Sequence, residues 1–190
     1  MDDVHSSLQT HREPRIRRRN RTRREGAVHI RPARPGDAPA ITAIYNEGIR
    51  GRQATFETRE RGPEDVLSWL GNPRHPVLVA ELDGGVAGWV AASTYRPRDC
   101  YAGIAEFSVY VAGAARGRRL GDALMAAFLP ACRDAGLWKV LSRIFPENTA
   151  SRSLCARHGF REVGVYEKHG QLDGAWRDVV IVERLLVSTD

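Results

Sequence analysis

A short turn between two apolar runs places the strongest constraint on the fold of this chain. Residues 77–82 and 86–93 are rich in valine, leucine and alanine, and Asp83-Gly84-Gly85 between them is a hairpin signal. Strands joined by so short a turn run antiparallel. The regular β-α-β alternation of a dinucleotide-binding fold is therefore excluded.

Turn and cap signals divide the rest of the chain, from residue 28 onward, into short elements. A long helix is predicted over residues 120–135, with apolar residues at 120, 124, 128 and 131 and Gly136 after it. Asp37 stands at the N-cap position of an earlier helix that carries Ile41, Ile44, Tyr45 and Ile49. The other predicted elements are strands over 28–31, 106–111, 140–145, from 160 and 176–186, and helices over 63–70 and 149–158. The order β-α-α-β-β-β-α-β-α-β-β predicts a mixed α/β fold, with one domain over residues 27–190.

The net charge of +6 lies mostly in the N-terminal segment. Residues 1–26 carry eight arginines against four acidic residues, which leaves only +2 for the rest of the chain. With Val4, Leu8 and Ile16 as its sizeable apolar residues, this segment cannot offset the entropy of ordering, and we predict a disordered, arginine-rich extension. A basic arm can hold nucleic acid or an anionic surface. We favour the alternatives, a solvated extension or translation from a start codon upstream of the true one, and expect no nucleic-acid partner.

Composition excludes several other classes of protein. No stretch of the sequence approaches the roughly 18 apolar residues of a membrane span, and no apolar run follows the charged start as in a signal peptide. Three cysteines (Cys100, Cys132, Cys155) lie far apart in the sequence, which fits a reducing compartment without a disulfide framework. The six histidines show no short ligand spacing, so no metal site is predicted. We expect a cytoplasmic protein with no membrane partner.

A basic turn precedes the long predicted helix. Residues 116–123 read Arg-Gly-Arg-Arg-Leu-Gly-Asp-Ala. Backbone N–H groups converge at such a helix start and suit a pyrophosphate, and arginines add forked donors for phosphate oxygens. A solvated strand–helix turn is the other interpretation. The predicted phosphate-binding residues are Arg116, Gly117, Arg118, Arg119, Leu120, Gly121 and Asp122.

The spacing Arg116-x-x-Arg119-x-Gly121 resembles the Gln/Arg-x-x-Gly-x-Gly/Ala signature of the GNAT N-acetyltransferases, which cradle the pyrophosphate of acetyl-CoA. The resemblance covers residues 28–186 and implies the GNAT fold, a twisted mixed sheet flanked by helices, with acetyl-CoA as co-substrate. Arg119 stands where the family has its first glycine. Because Gly121 keeps the position nearer the helix start, we expect a helical backbone at Arg119 and an added phosphate contact.

Five motifs resemble the GNAT subgroup that acetylates phosphinothricin, methionine sulfoximine and arsinothricin. They are Tyr45-Asn46-Glu47, Thr55-Phe56-Glu57-Thr58, Tyr95-Arg96-Pro97, Glu106-Phe107-Ser108-Val109-Tyr110-Val111 and Gly174-Ala175-Trp176-Arg177-Asp178. An α-amine is protonated at neutral pH and cannot attack a thioester until a base removes a proton. The resemblance implies that Glu106 is this base, acting directly or through a water. A strand carboxylate that faces solvent is the alternative.

The same resemblance assigns the other site residues. Val109, Tyr110, Val111 and Asn148 are expected to contact the pantetheine arm of the cofactor. Arg96 matches the arginine of the subgroup that faces the substrate. Arg98 adds a second positive charge where relatives often have an aromatic residue, and Phe107 stands where some relatives have a histidine. An exposed pair of loop arginines is the alternative for Arg96 and Arg98. The predicted substrate-binding residues are Phe56, Tyr95, Arg96, Arg98, Phe107, Ser108 and Trp176.

Cys155 stands where the family has a tyrosine, or in this subgroup often a histidine, that protonates the leaving thiolate. A thiol with a reference pKa near 8.5 can act as a general acid. Leu154 and Phe160 close by indicate an apolar helix face, where buried cysteines are inert. Cys155 is therefore a candidate catalytic acid, and a core role is the alternative that we expect.

Together these features predict an N-acetyltransferase that moves acetyl from acetyl-CoA to the α-amine of a toxic, glutamate-like amino acid and so confers resistance. The transfer is direct, without an acyl-enzyme, and the subgroup implies a homodimer. Two alternatives stay open: acetylation of a peptide or protein N-terminus, and a non-catalytic acyl-CoA sensor or nucleic-acid-binding protein. Glu106 at the acceptor site argues against a pure sensor.

Overall fold

The computed structural model describes residues 26–187, and within them the predicted order of elements is confirmed. Most of the predicted arginine-rich extension, residues 1–25, lies outside the described residues, as do residues 188–190. The strands of the described part are β1 (His29–Pro32), β2 (Val77–Leu82), β3 (Gly85–Thr94), β4 (Ile104–Val111), β5 (Lys139–Ile144), β6 (Arg161–Leu172) and β7 (Ala175–Leu185). The helices are α1 (Ala38–Arg50), α2 (Pro63–Leu67), α3 (Leu120–Asp134) and α4 (Thr149–Arg157).

The strands form one mixed sheet in the order β1-β2-β3-β4-β5-β7-β6. Neighbouring strands of the described sheet are antiparallel except β4 and β5, which run parallel. That parallel ladder is short, since it joins Ile104–Glu106 to residues 139–141 and ends there. Beyond Glu106 the two strands separate, and the sheet opens along the second half of β4.

Local sequence explains most of the element boundaries. Asp83 and Gly84 both have positive φ, 53° and 85°, the pair of left-handed residues that a tight hairpin turn requires. Gly136 ends α3 with φ 82°, as predicted. α2 ends at Leu67, three residues earlier than predicted.

Asp37 occupies the N-cap position of α1, as predicted, but its side chain makes no capping hydrogen bond to this helix. Its carboxylate instead accepts hydrogen bonds from the backbone N–H of Arg34 at 2.7 Å and from Arg31 at 2.7 and 2.9 Å. The Arg31 guanidinium lowers the pKa of the Asp37 carboxyl below its usual value. Asp37 therefore ties β1 to the turn before α1.

Two layers of helices cover opposite faces of the sheet. On one face α3 and α4 bury the larger core, in which Phe107, Phe128 and Phe160 pack together. On the other face α1 and α2 pack against Trp89 and the valines of β2. Because strand side chains alternate between faces, neighbouring residues of β4 contribute to different layers. None of the described helices is long and apolar enough to cross a membrane.

Candidate functional site

A cavity of about 840 Å³ lies beside β4, where this strand has separated from β5. The walls are α1 and the loop after it, the second half of β4, the turn before α3, and α4. Val109, Tyr110 and Val111, all predicted to contact the cofactor, line this cavity. Within the described sheet, these residues have a strand partner on the β3 side only. Their outward backbone groups are therefore available to a ligand.

Tyr110 fixes the wall between the cavity and α1. Its ring stacks on Trp89 with the centroids 4.9 Å apart and meets Tyr45 edge-on at 5.1 Å. Its hydroxyl donates to the carbonyl oxygen of Ala54 at 3.3 Å, and burial raises its pKa. Glu47 closes the far end of β4, because its carboxylate accepts the N–H of Gly113 at 2.9 Å. These contacts keep the second half of β4 in place without a strand on its other side.

Arg119 has a left-handed backbone, with φ 60° and ψ 21°, so the expectation of a helical conformation was wrong. The family signature has glycine at this position, and glycine adopts such angles without the steric cost that a Cβ imposes. The turn nevertheless keeps the shape that the signature predicts. The Arg119 side chain is 83% exposed and lines the cavity, so that its cation can reach a ligand phosphate.

Asp122 lies at the cavity, but it is engaged with other groups of the protein. Its carboxylate accepts hydrogen bonds from Arg157 at 2.9 and 3.1 Å and lies 3.2 Å from His158 Nε2. The Arg157 guanidinium lowers the pKa of the Asp122 carboxyl. An ionised carboxylate repels phosphate, so the side chain of Asp122 serves to hold Arg157. Its backbone N–H, in the first turn of α3, stays a predicted phosphate donor. Arg157 itself lines the cavity and was missed, because it lies 35 residues from Asp122 in the sequence.

The other predicted phosphate-binding residues separate into two groups. Arg116, Gly117, Leu120 and Gly121 line the cavity. Arg118 does not line it, because its guanidinium turns toward Asp83 of the β2–β3 hairpin, 3.5 Å away. Since Gly117 also has a positive φ, 76°, its lack of a Cβ suits the turn that carries these cations.

Asn148 has the N-cap role considered for it from the sequence, and it also lines the cavity, where its contact with a pantetheine arm stays a prediction. Its side-chain oxygen accepts the N–H of Ser151 at 3.1 Å, which caps the start of α4. Its amide nitrogen donates to the carbonyl of Gln53 at 3.4 Å, and the residue lines the cavity. Asn148 therefore joins α4 to the loop after α1 across the space beside β4.

Glu106 lies at the last residue pair of the β4–β5 ladder, opposite Leu141. Its carboxylate forms an ion pair with Arg143 of β5. Glu106 lies outside the lining of the 840 Å³ cavity, three residues along β4 from Val109, which at the rise of a strand is about 10 Å. It is thus close to the inner end of that cavity.

A second cavity of about 310 Å³ lies beyond the other end of β4. Its lining includes Ile104, three arginines (Arg74, Arg96 and Arg98), His75 and one acidic residue, Asp99. Tyr95 packs edge-on against Tyr101 at 5.7 Å and carries the Arg96 guanidinium over its ring at 5.3 Å. The predicted grouping of Arg96 with Arg98 is present, and Arg74 is an addition that no sequence motif had suggested. We call this the arginine cavity.

Phe107 does not face a substrate, and its prediction as a substrate-binding residue is wrong. It is 3% exposed and lies in the core between Phe128 and Phe160, with ring centroids 5.9 and 5.1 Å away. The reason is strand alternation: Phe107 points to the α3 face, whereas Glu106 and Ser108 point to the other.

The predicted aromatic wall is dispersed within one chain. Phe56 packs edge-on against Phe145 at 4.9 Å, next to Val179. Trp176 is 57% exposed beside the β6–β7 turn and lines neither cavity. The two rings therefore do not form a common substrate wall in the described chain.

Cys155 lies in the core, and its prediction as a catalytic acid is corrected to the alternative. The residue is 1% exposed among the apolar side chains beneath α3 and α4. Burial raises the pKa of its thiol to about 12, so it gives up a proton poorly near neutral pH. Leu154, not Cys155, lines the cavity from α4.

The 840 Å³ cavity fits acetyl-CoA in size and chemistry. Its volume lies in the range of small-molecule and cofactor sites. The helix start of α3 and the cations of Arg116, Arg119 and Arg157 meet at one end of it, which suits phosphates. Along the other end the unpaired side of β4 offers backbone groups to an extended, amide-containing chain such as pantetheine.

Residues 41–160 match the model of the acetyltransferase (GNAT) family. The chain belongs to this family. The GNAT match includes β4, the basic turn, α4 and most of α1, all of which line the 840 Å³ cavity.

Two GNAT relatives extend the similarity over most of the chain. A phosphinothricin N-acetyltransferase of Alcaligenes faecalis is 37% identical over 171 residues, which cover 86% of this chain and 85% of the relative. An L-methionine sulfoximine/L-methionine sulfone acetyltransferase of Pseudomonas aeruginosa is 32% identical over 172 residues, which cover 83% of this chain and 94% of the relative.

Solved GNAT structures confirm the fold. A phosphinothricin acetyltransferase from Sinorhizobium meliloti, in complex with acetyl-CoA, has a TM-score of 0.77 and 28% identity, covering 83% of this chain and 88% of that one. A ribosomal-protein-alanine N-acetyltransferase from Brucella melitensis has a TM-score of 0.79 and 33% identity, covering 83% of this chain and 99% of that one. The protein is therefore an N-acetyltransferase with acetyl-CoA as its co-substrate.

Proposed function

We propose that this GNAT enzyme acetylates the α-amine of a small amino acid with a second anionic group, such as phosphinothricin. The arginine cavity carries the proposal: about 310 Å³ lined by Arg74, Arg96 and Arg98 suits a compact anion better than a peptide chain. The relative named for phosphinothricin supports this class of acceptor. The relative named for methionine sulfoximine supports a free amino acid of the same length, with a side chain that is polar but uncharged. Arsinothricin, with an arsenic-containing anionic head, belongs to this class too.

Glu106 is the proposed general base. It lies on β4 between the two cavities: Ile104 of the arginine cavity is two residues before it and Val109 of the larger cavity three residues after it. An amine held there has the acetyl donor on one side and its own anionic group on the other. The carboxylate removes one proton from the ammonium, and the amine nitrogen then forms a bond to the thioester carbon. The carbon–sulfur bond breaks, and CoA leaves as a thiolate. The second proton of the former ammonium leaves the nitrogen as the amide forms and passes through solvent to this thiolate.

Phosphate binding is proposed for Arg116, Arg119, Arg157 and the first turn of α3, which meet at one end of the larger cavity. Val109, Tyr110, Val111 and Asn148 are proposed to hold the pantetheine arm. Because the reaction consumes acetyl-CoA, the proposed site of action is the cytoplasm, where inactivating a toxic analogue would give resistance.

A homodimer is proposed from the exposed apolar residues of the β6–β7 hairpin. Val163, Val165, Tyr166, Trp176 and Leu185 are each about half exposed. A second copy of the chain that covers these residues would shield Trp176 from water. Size-exclusion chromatography with light scattering should then give twice the mass of one chain. A Trp176→Lys variant should shift the mass toward one chain, whereas a monomeric wild type would contradict the proposal.

Acetylation of a protein N-terminus is the second candidate, favoured by the ribosomal-protein-alanine N-acetyltransferase of similar structure. Release of free thiol from acetyl-CoA distinguishes the two. We expect turnover with phosphinothricin, arsinothricin and methionine sulfoximine and little with alanine-initiated peptides. The reverse order of kcat/KM would favour the protein acceptor.

The role of Glu106 is tested by Glu106→Gln, which should lower kcat by about 10²–10⁴ and leave the Kd of acetyl-CoA unchanged. Glu162→Gln is the matched control, since Glu162 also pairs with an arginine, Arg152, but lies outside both cavities. Its kcat should equal that of wild type. If Glu106→Gln turned over as fast as this control, Glu106 would not be the base.

A further inference from the structure

The partner of Glu106 occupies a position that no sequence motif singled out. Arg143 lies on β5, two residues beyond Leu141, the last residue that β5 pairs with β4. Residues two apart on a strand share a face, so Arg143 lies on the face of Leu141 and Glu106. Its guanidinium reaches back to the Glu106 carboxylate at the point where the two strands begin to separate.

The Glu106–Arg143 pair is open to a small ligand. The side chains are 23% and 40% exposed. Among the described residues, Arg143 donates a hydrogen bond to Glu106 only, although a guanidinium carries five N–H donors. An arginine with free donors beside a partly exposed carboxylate presents both signs of charge to the same ligand.

We propose that Arg143 binds the α-carboxylate of the acceptor while Glu106 takes its α-ammonium group. An α-amino acid is a zwitterion whose two charged groups share one carbon atom, so an adjacent guanidinium and carboxylate match it in sign and in spacing. A guanidinium also binds a carboxylate through two parallel hydrogen bonds. When the acceptor binds, its carboxylate and its ammonium group replace the direct contact between Arg143 and Glu106. This inference rests on the proposed function, and it names the group that selects free amino acids.

The two anionic groups of the acceptor are thereby assigned to different arginines. Ile104, which lines the arginine cavity, is two residues from Glu106 along β4, about 7 Å at the rise of a strand. When the α-amino and α-carboxylate groups of the acceptor are bound at Glu106 and Arg143, an acceptor side chain as long as that of glutamate extends toward Arg96 and Arg98. The α-carboxylate then stays with Arg143. A protein N-terminus has no α-carboxylate on its first residue and would leave Arg143 without this ligand.

The experiment compares phosphinothricin with its decarboxylated analogue, 3-aminopropyl(methyl)phosphinic acid, in the wild type and in Arg143→Met. We expect kcat/KM of the variant on phosphinothricin to fall about 10–100-fold, mostly through KM, as for the loss of a charged hydrogen-bonded pair. On the decarboxylated amine the variant should lose clearly less, because that amine has no carboxylate; the loss that remains measures what Arg143 contributes through its ion pair with Glu106. Arg143→Lys should recover part of the loss.

Lys139→Met is the matched control. Lys139 lies on the same strand and face and pairs with a carboxylate, Glu183, at 3.0 Å. It should leave both acceptors unchanged, and melting curves of all variants show whether any loss comes from unfolding. Equal losses on both acceptors, or none, in a folded Arg143→Met variant would overturn the role of Arg143 and leave the proposed function standing. A wild type that acetylates peptides but not phosphinothricin would overturn both.

Discussion

Replacing Arg119 by glycine should raise the free energy of unfolding, although it removes a large side chain from the basic turn. Arg119 has φ 60° and ψ 21°, and a residue with a Cβ pays about 1–2 kcal/mol in that conformation. Glycine has no such cost in the folded state. It does increase the conformational entropy of the unfolded chain, which lowers the free energy of unfolding by about 0.4–1 kcal/mol. Taking the middle of each range, the balance is a gain of about 0.8 kcal/mol.

The predicted gain is measurable by thermal unfolding. For a chain of this size, 1 kcal/mol shifts Tm by about 2–4 °C, so Arg119→Gly should raise Tm by about 1–4 °C. Arg119→Ala is the matched variant, because it removes the same guanidinium but keeps the Cβ, and it should show no rise. Arg116→Gly is a second control. Arg116 has φ −60° and ψ 154°, where any residue is comfortable, and glycine there should lower Tm.

Acetyl-CoA binding should separate charge from backbone strain. Both Arg119→Gly and Arg119→Ala lose a cation that lines the larger cavity, so both should weaken the Kd several-fold, and less at high salt. An Arg119→Gly variant no more stable than Arg119→Ala would refute the strain argument. Tighter binding by the glycine variant would show that the arginine obstructs the turn.

Three further predictions concern Asp122, Arg157 and Cys155. Asp122→Asn should lower the free energy of unfolding at neutral pH. Its difference from wild type should shrink as pH falls below about 4, because the stability that comes from a carboxyl with a lowered pKa is lost as that carboxyl protonates. An unchanged difference in the free energy of unfolding at pH 3 would contradict this. Arg157→Met should weaken acetyl-CoA binding, measured by calorimetry, whereas Arg152→Met on the same helix should not. Cys155→Ala should cost about 1–2 kcal/mol of stability in chemical denaturation with kcat intact at low temperature, and a loss of rate without a loss of stability would restore a catalytic role.

Much of the fold followed from local sequence, because turn and cap residues act over short range. Asp83, Gly84 and Gly136 each lie where the backbone has the positive φ that such turn and cap positions need. The end of α2 was misjudged by three residues. No turn signal marks that end before residue 71, and tertiary packing decides where so short a helix stops.

The errors at the site arose where the outcome depends on contacts distant in sequence. Phe107 was assigned by its place in a motif, but the face it occupies is set by its alternation with Glu106. Asp122 was grouped with the phosphate-binding residues, and only the fold shows Arg157 beside it. Arg143 carried no local signal, since its relation to Glu106 arises from the parallel pairing of β4 with β5.

The separation of β4 from β5 also bears on how the protein folds. The strands β1–β4 and β5–β7 are joined within the sheet by a ladder of three residue pairs. Alternate N–H groups of residues 107–111 point away from β3, and in the free enzyme they should exchange with deuterium earlier than the amides shared by β3 and β4. A pantetheine arm bound along this edge would pair with β4 as an additional strand. While bound, it would lie between the part of the sheet formed by β1–β4 and the part formed by β5–β7. Acetyl-CoA should then slow that exchange and raise the stability of the whole domain by about 2.7 kcal/mol at 100 times its Kd.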